Sequence, residues 1–184
     1  MKKMFVALMA LAAVAPLAAG TLADFSDGKG RVSTAAAERF YATPAEIAVV
    51  EDATAPNGKA LVAKLGALKE GVKFARYDVE VKLTEEEASK IREVSYDVKV
   101  GSRKAFGWGM LYFRKPGVWL HCLRYHIPND QNFKIGEWQH FTVPVSKFTP
   151  EGDGISLSDA RQFVITFFIY EPVEIAVANI ACAE

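Results

Sequence analysis

Tyr77-Asp78-Val79-Glu80-Val81-Lys82-Leu83 alternates apolar and polar residues without a break. Side chains on a β-strand point alternately to its two faces, so this segment reads as a strand with one buried and one wet side. Val94, Tyr96, Val98 and Val100 repeat the pattern, with Ser95, Asp97 and Lys99 opposite. Between the two strands, Thr84 is placed to cap a short helix and Glu87 to reach back to its amide. Glu85, Glu86 and Glu87 also suit the positive end of the helix dipole.

Short apolar runs continue outward in both directions. Upstream are Ile47 to Val50 and Ala60 to Leu65, joined through Pro56-Asn57-Gly58. Downstream are Trp108 to Arg114, Val118 to Ile127, Trp138 to Val145, Phe163 to Tyr170 and Val173 to Ile180. Turns at Lys115-Pro116-Gly117, Pro128-Asn129-Asp130 and Gly152-Asp153-Gly154 separate several of them. About eight or nine strands with short loops predict an all-β chain: an antiparallel β-sandwich or jelly roll with one short connecting helix.

The first residues have a different character. Lys2 and Lys3 precede an apolar run from Phe5 to Ala19 that carries Pro16 and ends in small residues. This order predicts a secretory signal peptide over residues 1–23, cleaved after Gly20 or Ala23, followed by a single domain over residues 24–184. The expected location is periplasmic or secreted, with no transmembrane segment in the mature chain. In the 184-residue sequence 22 basic residues balance 22 acidic ones. Without Lys2 and Lys3 the remainder is slightly acidic, which leaves no basic surface to engage a phosphate backbone and excludes nucleic acid as the main partner. Cys122 and Cys182 both fall in apolar runs, where they either form a disulfide in an oxidising compartment or serve as small reduced core residues.

The hairpin around Pro116-Gly117 offers a candidate functional face. A tight turn there sets Arg114 opposite Trp119, Tyr112 opposite His121, Met110 opposite Leu123 and Trp108 opposite Tyr125. Leu111, Phe113, Val118, Leu120 and Cys122 then form the core side. The other face collects rings beside polar groups, as a sugar requires, with Asp97 and Lys99 at hand if their strand joins the same sheet. Rings stack on the apolar C–H face of a pyranose while donors and acceptors meet its hydroxyls. Trp108 and Trp119 are the platform candidates; Tyr112, Arg114, His121 and Tyr125 are the hydrogen-bonding candidates. The alternative is that a loop covers this face and makes it a second small core.

The C-terminal part adds a resemblance. Gly136-Glu137-Trp138-Gln139-His140-Phe141-Thr142-Val143-Pro144-Val145-Ser146-Lys147-Phe148, then Ile155-Ser156-Leu157-Ser158-Asp159-Ala160-Arg161, the run Phe163 to Phe168 and Val177-Ala178-Asn179-Ile180 resemble carbohydrate-binding-module-like jelly rolls of the galactose-binding type. That resemblance covers roughly the last fifty residues well and the earlier strands in outline. It implies extracellular binding of a polysaccharide or oligosaccharide on a concave sheet face, often beside an enzyme, and often a structural calcium near the N-terminal strands. Glu51 and Asp52, with Asn57, offer oxygen ligands for that ion; a solvated acidic turn is the other reading. Ala178 stands where the family usually carries an acidic residue.

Catalytic chemistry finds little support. His121 and His126 fall on opposite strand faces, so one metal ion cannot take both, and Cys122 faces away from its neighbouring His121. Asp78, Glu80 and Asp97 alternate as solvent-facing residues, and no glycine-rich phosphate loop or Ser-His-Asp pattern occurs. The expectation is an exported, non-catalytic carbohydrate-binding protein. The rivals are a periplasmic or cell-surface domain that docks a protein partner and a small glycan-active hydrolase.

Overall fold

A computed structural model describes residues 19–28, 30–36, 38–102, 106–118, 120–127 and 134–184, with residues 19, 38 and 106–108 described by their backbone alone. The strands in chain order are β1 (Ala19–Ala23), β2 (Val32–Ala36), β3 (Glu46–Glu51), β4 (Lys59–Leu65), β5 (Ala75–Lys82), β6 (Glu93–Val100), β7 (Phe106–Arg114), β8 (Cys122–Ile127), β9 (Gln139–Pro144), β10 (Thr149–Glu151), β11 (Gln162–Ile169) and β12 (Val173–Ala183). The helix α1 (Glu85–Lys90) joins β5 to β6. Its capping box forms as expected: Thr84 Oγ1 accepts from the Glu87 amide at 3.2 Å, and Glu87 Oε2 accepts from the Thr84 amide at 2.8 Å.

The strands form two antiparallel sheets. The first runs β3-β4-β12-β6-β9, with β1 also paired to β12; the second runs β10-β8-β7-β11-β5-β2. The predicted β-sandwich is the observed architecture, and alternation explains why. Tyr77, Val79 and Val81 of β5 stand in register with Phe167, Ile165 and Phe163 of β11 on the inner side. From the first sheet Val94, Tyr96, Val98 and Val100 meet the same core, and all these side chains are buried. Every such residue removes roughly 2 kcal/mol worth of apolar surface from water, which makes one strand face obligatory. Among the described residues no helix is long and apolar enough to cross a membrane.

The β7–β8 hairpin departs from the expected register. Lys115 O does accept from Val118 N at 3.2 Å around Gly117, whose φ of 74° suits a glycine. However, the ladder resumes only at Cys122, with Arg114 opposite Cys122, Tyr112 opposite Arg124 and Met110 opposite His126. The reason lies in β8 itself, where Leu123, Tyr125 and Ile127 alternate with Cys122, Arg124 and His126 and give a better core face than the tight-turn register allows. Leu120, expected in the core, is 69% exposed. The returning loop also lies against the turn after β10, where a Cβ on Gly152 would come within 2.1 Å of the Leu120 carbonyl oxygen. Only glycine fits this contact.

Parity also separates the cysteines. Cys122 sits on the outer side of the second sheet, beside Met110, Tyr112, Val164 and Phe168, whereas Cys182 lies in the main core between the sheets. Both are free, buried thiols in this structure, set on opposite sides of the second sheet.

Candidate functional site

The same alternation that builds the core gives the outer side of the second sheet a small buried apolar cluster of Met110, Tyr112, Cys122, Val164 and Phe168, the second core expected as the alternative, with a polar network and exposed rings beside it. Arg76, Asp78 and Glu80 project from β5, opposite Phe168, Thr166 and Val164 of β11. On the far side of β11, Tyr112 stands opposite Val164 and Arg114 opposite Gln162. Arg124 of β8 and Glu151 of β10 extend the face.

Its polar groups are already knitted together. Asp78 Oδ1 accepts from Arg76 Nε at 2.8 Å and from the Thr166 hydroxyl at 2.5 Å. Glu80 accepts from Arg114 Nη2 at 2.5 Å, Gln162 Nε2 at 3.2 Å and the Ser33 hydroxyl at 3.3 Å. Arg124 Nη1 donates to Glu151 Oε1 at 2.6 Å. Three arginines are thus matched by three carboxylates. Charge-assisted bonds of this kind hold side chains in one geometry, which is a precondition for recognising a ligand's hydroxyl pattern. Asp78 and Glu80 were expected to face solvent; instead Asp78 is buried and Glu80 half-buried, because the long arginines fold over them.

Burial shapes the protonation of this cluster. Desolvation raises the Asp78 carboxyl above its ordinary range, opposed by the Arg76 and Arg114 charges and by the Arg76 and Thr166 hydrogen bonds. It also pushes the Tyr112 phenol up to about 12 and lowers the Arg114 guanidinium. The Cys122 thiol rises to about 11, first through burial and then through the Glu151 charge, and is no nucleophile at neutral pH.

Beside this network lies a group of rings. Phe74, immediately before β5, has its centroid 5.8 Å from that of Phe168 and 6.0 Å from that of Tyr170. Phe74 is 49% exposed and Tyr170 41%, large values for rings that bury well elsewhere in the chain. Arg76 joins the rings to the network, its guanidinium carbon 5.8 Å from the Tyr112 centroid.

Of the residues expected at the site, Tyr112 and Arg114 share this outer face. Tyr125 does not: the register turns it inward against Phe148, with centroids 5.8 Å apart. His121 lies in the loop before β8, with Nδ1 3.5 Å from Asp153 Oδ2. Asp97 and Lys99 belong to the other sheet. Trp119 lies outside the described residues, and Trp108 is placed only by its backbone in β7. Phe74, Phe168, Tyr170 and Arg76 were not anticipated. The available signal was the continued alternation of the flanking strands, which carries Phe74 and Arg76 to the same side as Asp78, and Phe168 and Tyr170 to the side of Thr166.

The residues considered for calcium are held by lysines. Glu51 Oε1 lies 3.4 Å from Lys59 Nζ, and Asp52 Oδ2 accepts from Lys99 Nζ at 2.8 Å. Asp52 Oδ1 accepts from the Thr54 amide and hydroxyl, and the Lys99 bond leads the interactions that hold its carboxyl well below the usual range. Among the described residues no group of three or more His, Cys, Asp or Glu side chains is placed to hold a metal ion.

Comparison with solved structures gives the architecture a context. The chain aligns over 92% of its length with 97% of a family 11 carbohydrate-binding module from Clostridium thermocellum in complex with a β-1,3-1,4-mixed-linked tetrasaccharide, at 17% identity and a TM-score of 0.61. The fold is that of a carbohydrate-binding module. A family 30 carbohydrate-binding module aligns over its full length with 91% of this chain, at 11% identity and a TM-score of 0.56. A family 61 module in complex with β-1,4-galactotriose covers 88% of it, over 94% of its own length, at 10% identity and a TM-score of 0.50. No family model and no curated protein matches the sequence. At these identities the likeness establishes the shared module fold alone.

Proposed function

We propose that this chain is a non-catalytic carbohydrate-binding domain that works outside the cytoplasm and takes a polysaccharide or oligosaccharide across the outer face of its second sheet. The observation that carries this reading is the exposure of Phe74 and Tyr170 directly beside the Arg76–Asp78–Thr166 network. The rings offer surfaces for the C–H face of a sugar, and Arg76, the part-exposed member of the network, is held beside them by the buried Asp78 as a donor for a hydroxyl. Solved modules of the same fold, bound to a mixed-linked tetrasaccharide and to galactotriose, favour this use of the scaffold. The carboxylates of this face speak against catalysis. Asp78 and Glu80 are committed to arginine, hydroxyl and amide donors, which leaves neither poised as a nucleophile or general acid.

Affinity electrophoresis through gels containing neutral and acidic polysaccharides tests the proposal. Retention is expected for the wild-type chain and is expected to fall about tenfold for each of Phe74→Ala and Tyr170→Ala, since a stacking ring contributes on the order of 1–2 kcal/mol. Lack of retention of the wild-type chain across the panel, or release of reducing ends from it, would overturn the proposal.

A further inference from the structure

The aromatic end of this face continues into a groove of about 480 Å³ lined by Phe40, Val72, Lys73, Phe74, Arg76 and Phe168, among others. Its lining is mostly apolar, yet its charged groups are all basic. Arg76 is neutralised by Asp78. Lys73 is exposed and makes no ion pair with any described residue, and Arg39 places its guanidinium carbon 4.7 Å from the Phe40 centroid, also without an ion pair. Among the described residues no carboxylate lines the groove. Arg39, at the rim beside Phe40, and Glu70 both lie outside the lining, and Glu171 accepts from the Ser102 hydroxyl.

We propose that this groove is a subsite for a uronic acid residue, so that the glycan bound by the chain is acidic. This inference rests on the carbohydrate reading and specifies its ligand. A uronate combines the two features the groove presents a complement for: a C–H face to lie on Phe74, and a carboxylate to meet Lys73 and Arg39. Across the middle of the sheet face Arg76, Arg114 and Arg124 are matched by Asp78, Glu80 and Glu151. Lys73 is thus an unpaired cation in the wall of an apolar groove, and electrostatic complementarity there selects an anionic over a neutral sugar.

The test compares galacturonan, alginate and glucuronoxylan oligosaccharides with their carboxyl-reduced, neutral counterparts, using calorimetry at low salt. At least one acidic ligand is expected to bind about tenfold more tightly than its reduced form, with the preference shrinking when ionic strength is raised. Lys73→Ala combined with Arg39→Ala is expected to abolish the preference while neutral binding persists; both side chains are exposed, so the fold is not at risk. Equal affinity for acidic and reduced ligands, or a preference that survives the double substitution, overturns the uronate subsite and leaves the carbohydrate reading standing. Failure of every acidic and neutral glycan to bind overturns both.

Discussion

Arg114 of β7 donates to Glu80 of β5 at 2.5 Å although β11 lies between the two strands. The bond spans the outer face diagonally and is reinforced from β11 by Gln162, which accepts from Arg114 Nε and donates to Glu80. Arg114 has only 3% of its side chain exposed. Arg114→Met is expected to destabilise the fold by about 3 kcal/mol, because Glu80 would keep its charge and lose its main partner. Glu80→Gln, which retains hydrogen bonding, is expected to leave the buried guanidinium short of its counter-charge at a smaller cost. Urea denaturation of the two variants checks the order.

The clamp on helix α1 predicts a pH dependence. Glu87 accepts from Arg31 through both carboxylate oxygens at 2.7 Å, and the Arg31 bond leads the interactions that lower its carboxyl to about 2. A carboxyl depressed in the folded state contributes stability above its unfolded value, near 4.5, and loses it as the pH falls toward 2. Glu87→Gln is therefore expected to lower stability by about 1 kcal/mol at pH 7, a modest figure because the pair is partly solvated. The gap in melting temperature between wild type and variant should close as the pH falls from 5 to 2.

The two expected cleavage positions differ in what they leave of β1. Leu22, on β1, is buried against the core, as is Phe25 just beyond it. A chain beginning at Thr21 keeps Leu22, whereas one beginning at Asp24 lacks it and the whole β1–β12 ladder. The shorter chain is expected to lose about 2–3 kcal/mol. Thermal melting of the two chains measures this directly.

Asn179 interrupts β12 with a φ of 48°, and its side-chain amide donates to Asp97 at 3.1 Å. Asparagine tolerates this left-handed conformation better than a branched residue, so Asn179→Val is expected to cost about 2–3 kcal/mol and Asn179→Gly about 1. Chemical denaturation of both variants separates the backbone contribution from the hydrogen bond.

The free thiols give a chemical check. Cys122 and Cys182 are buried, and burial raises both thiols above their ordinary range. Neither is expected to react with iodoacetamide in the native protein, and both are expected to be alkylated in denaturant without a reducing agent. A mass showing a bridge would contradict the register of β8.

The alternation at Tyr77 to Leu83 and Val94 to Val100, and the Thr84–Glu87 capping box, were legible from local order alone, because strand faces and helix ends obey periods of a few residues. From them the two-layer β architecture follows. The β7–β8 register was not legible: a turn at Gly117 is local, but the choice between inward Cys122 and inward Leu123 depends on Phe148 and on the contact of Leu120 with Gly152, both distant in the chain. The same limit hid the candidate site. Asp78 and Glu80 have the sequence pattern of solvent-facing residues, and only lateral pairing with β11 and β7 brings Thr166, Gln162 and Arg114 over them. Periodicity decides which side of a strand a residue occupies; the order of strands in the sheet decides its neighbours, because those contacts join residues far apart in the chain.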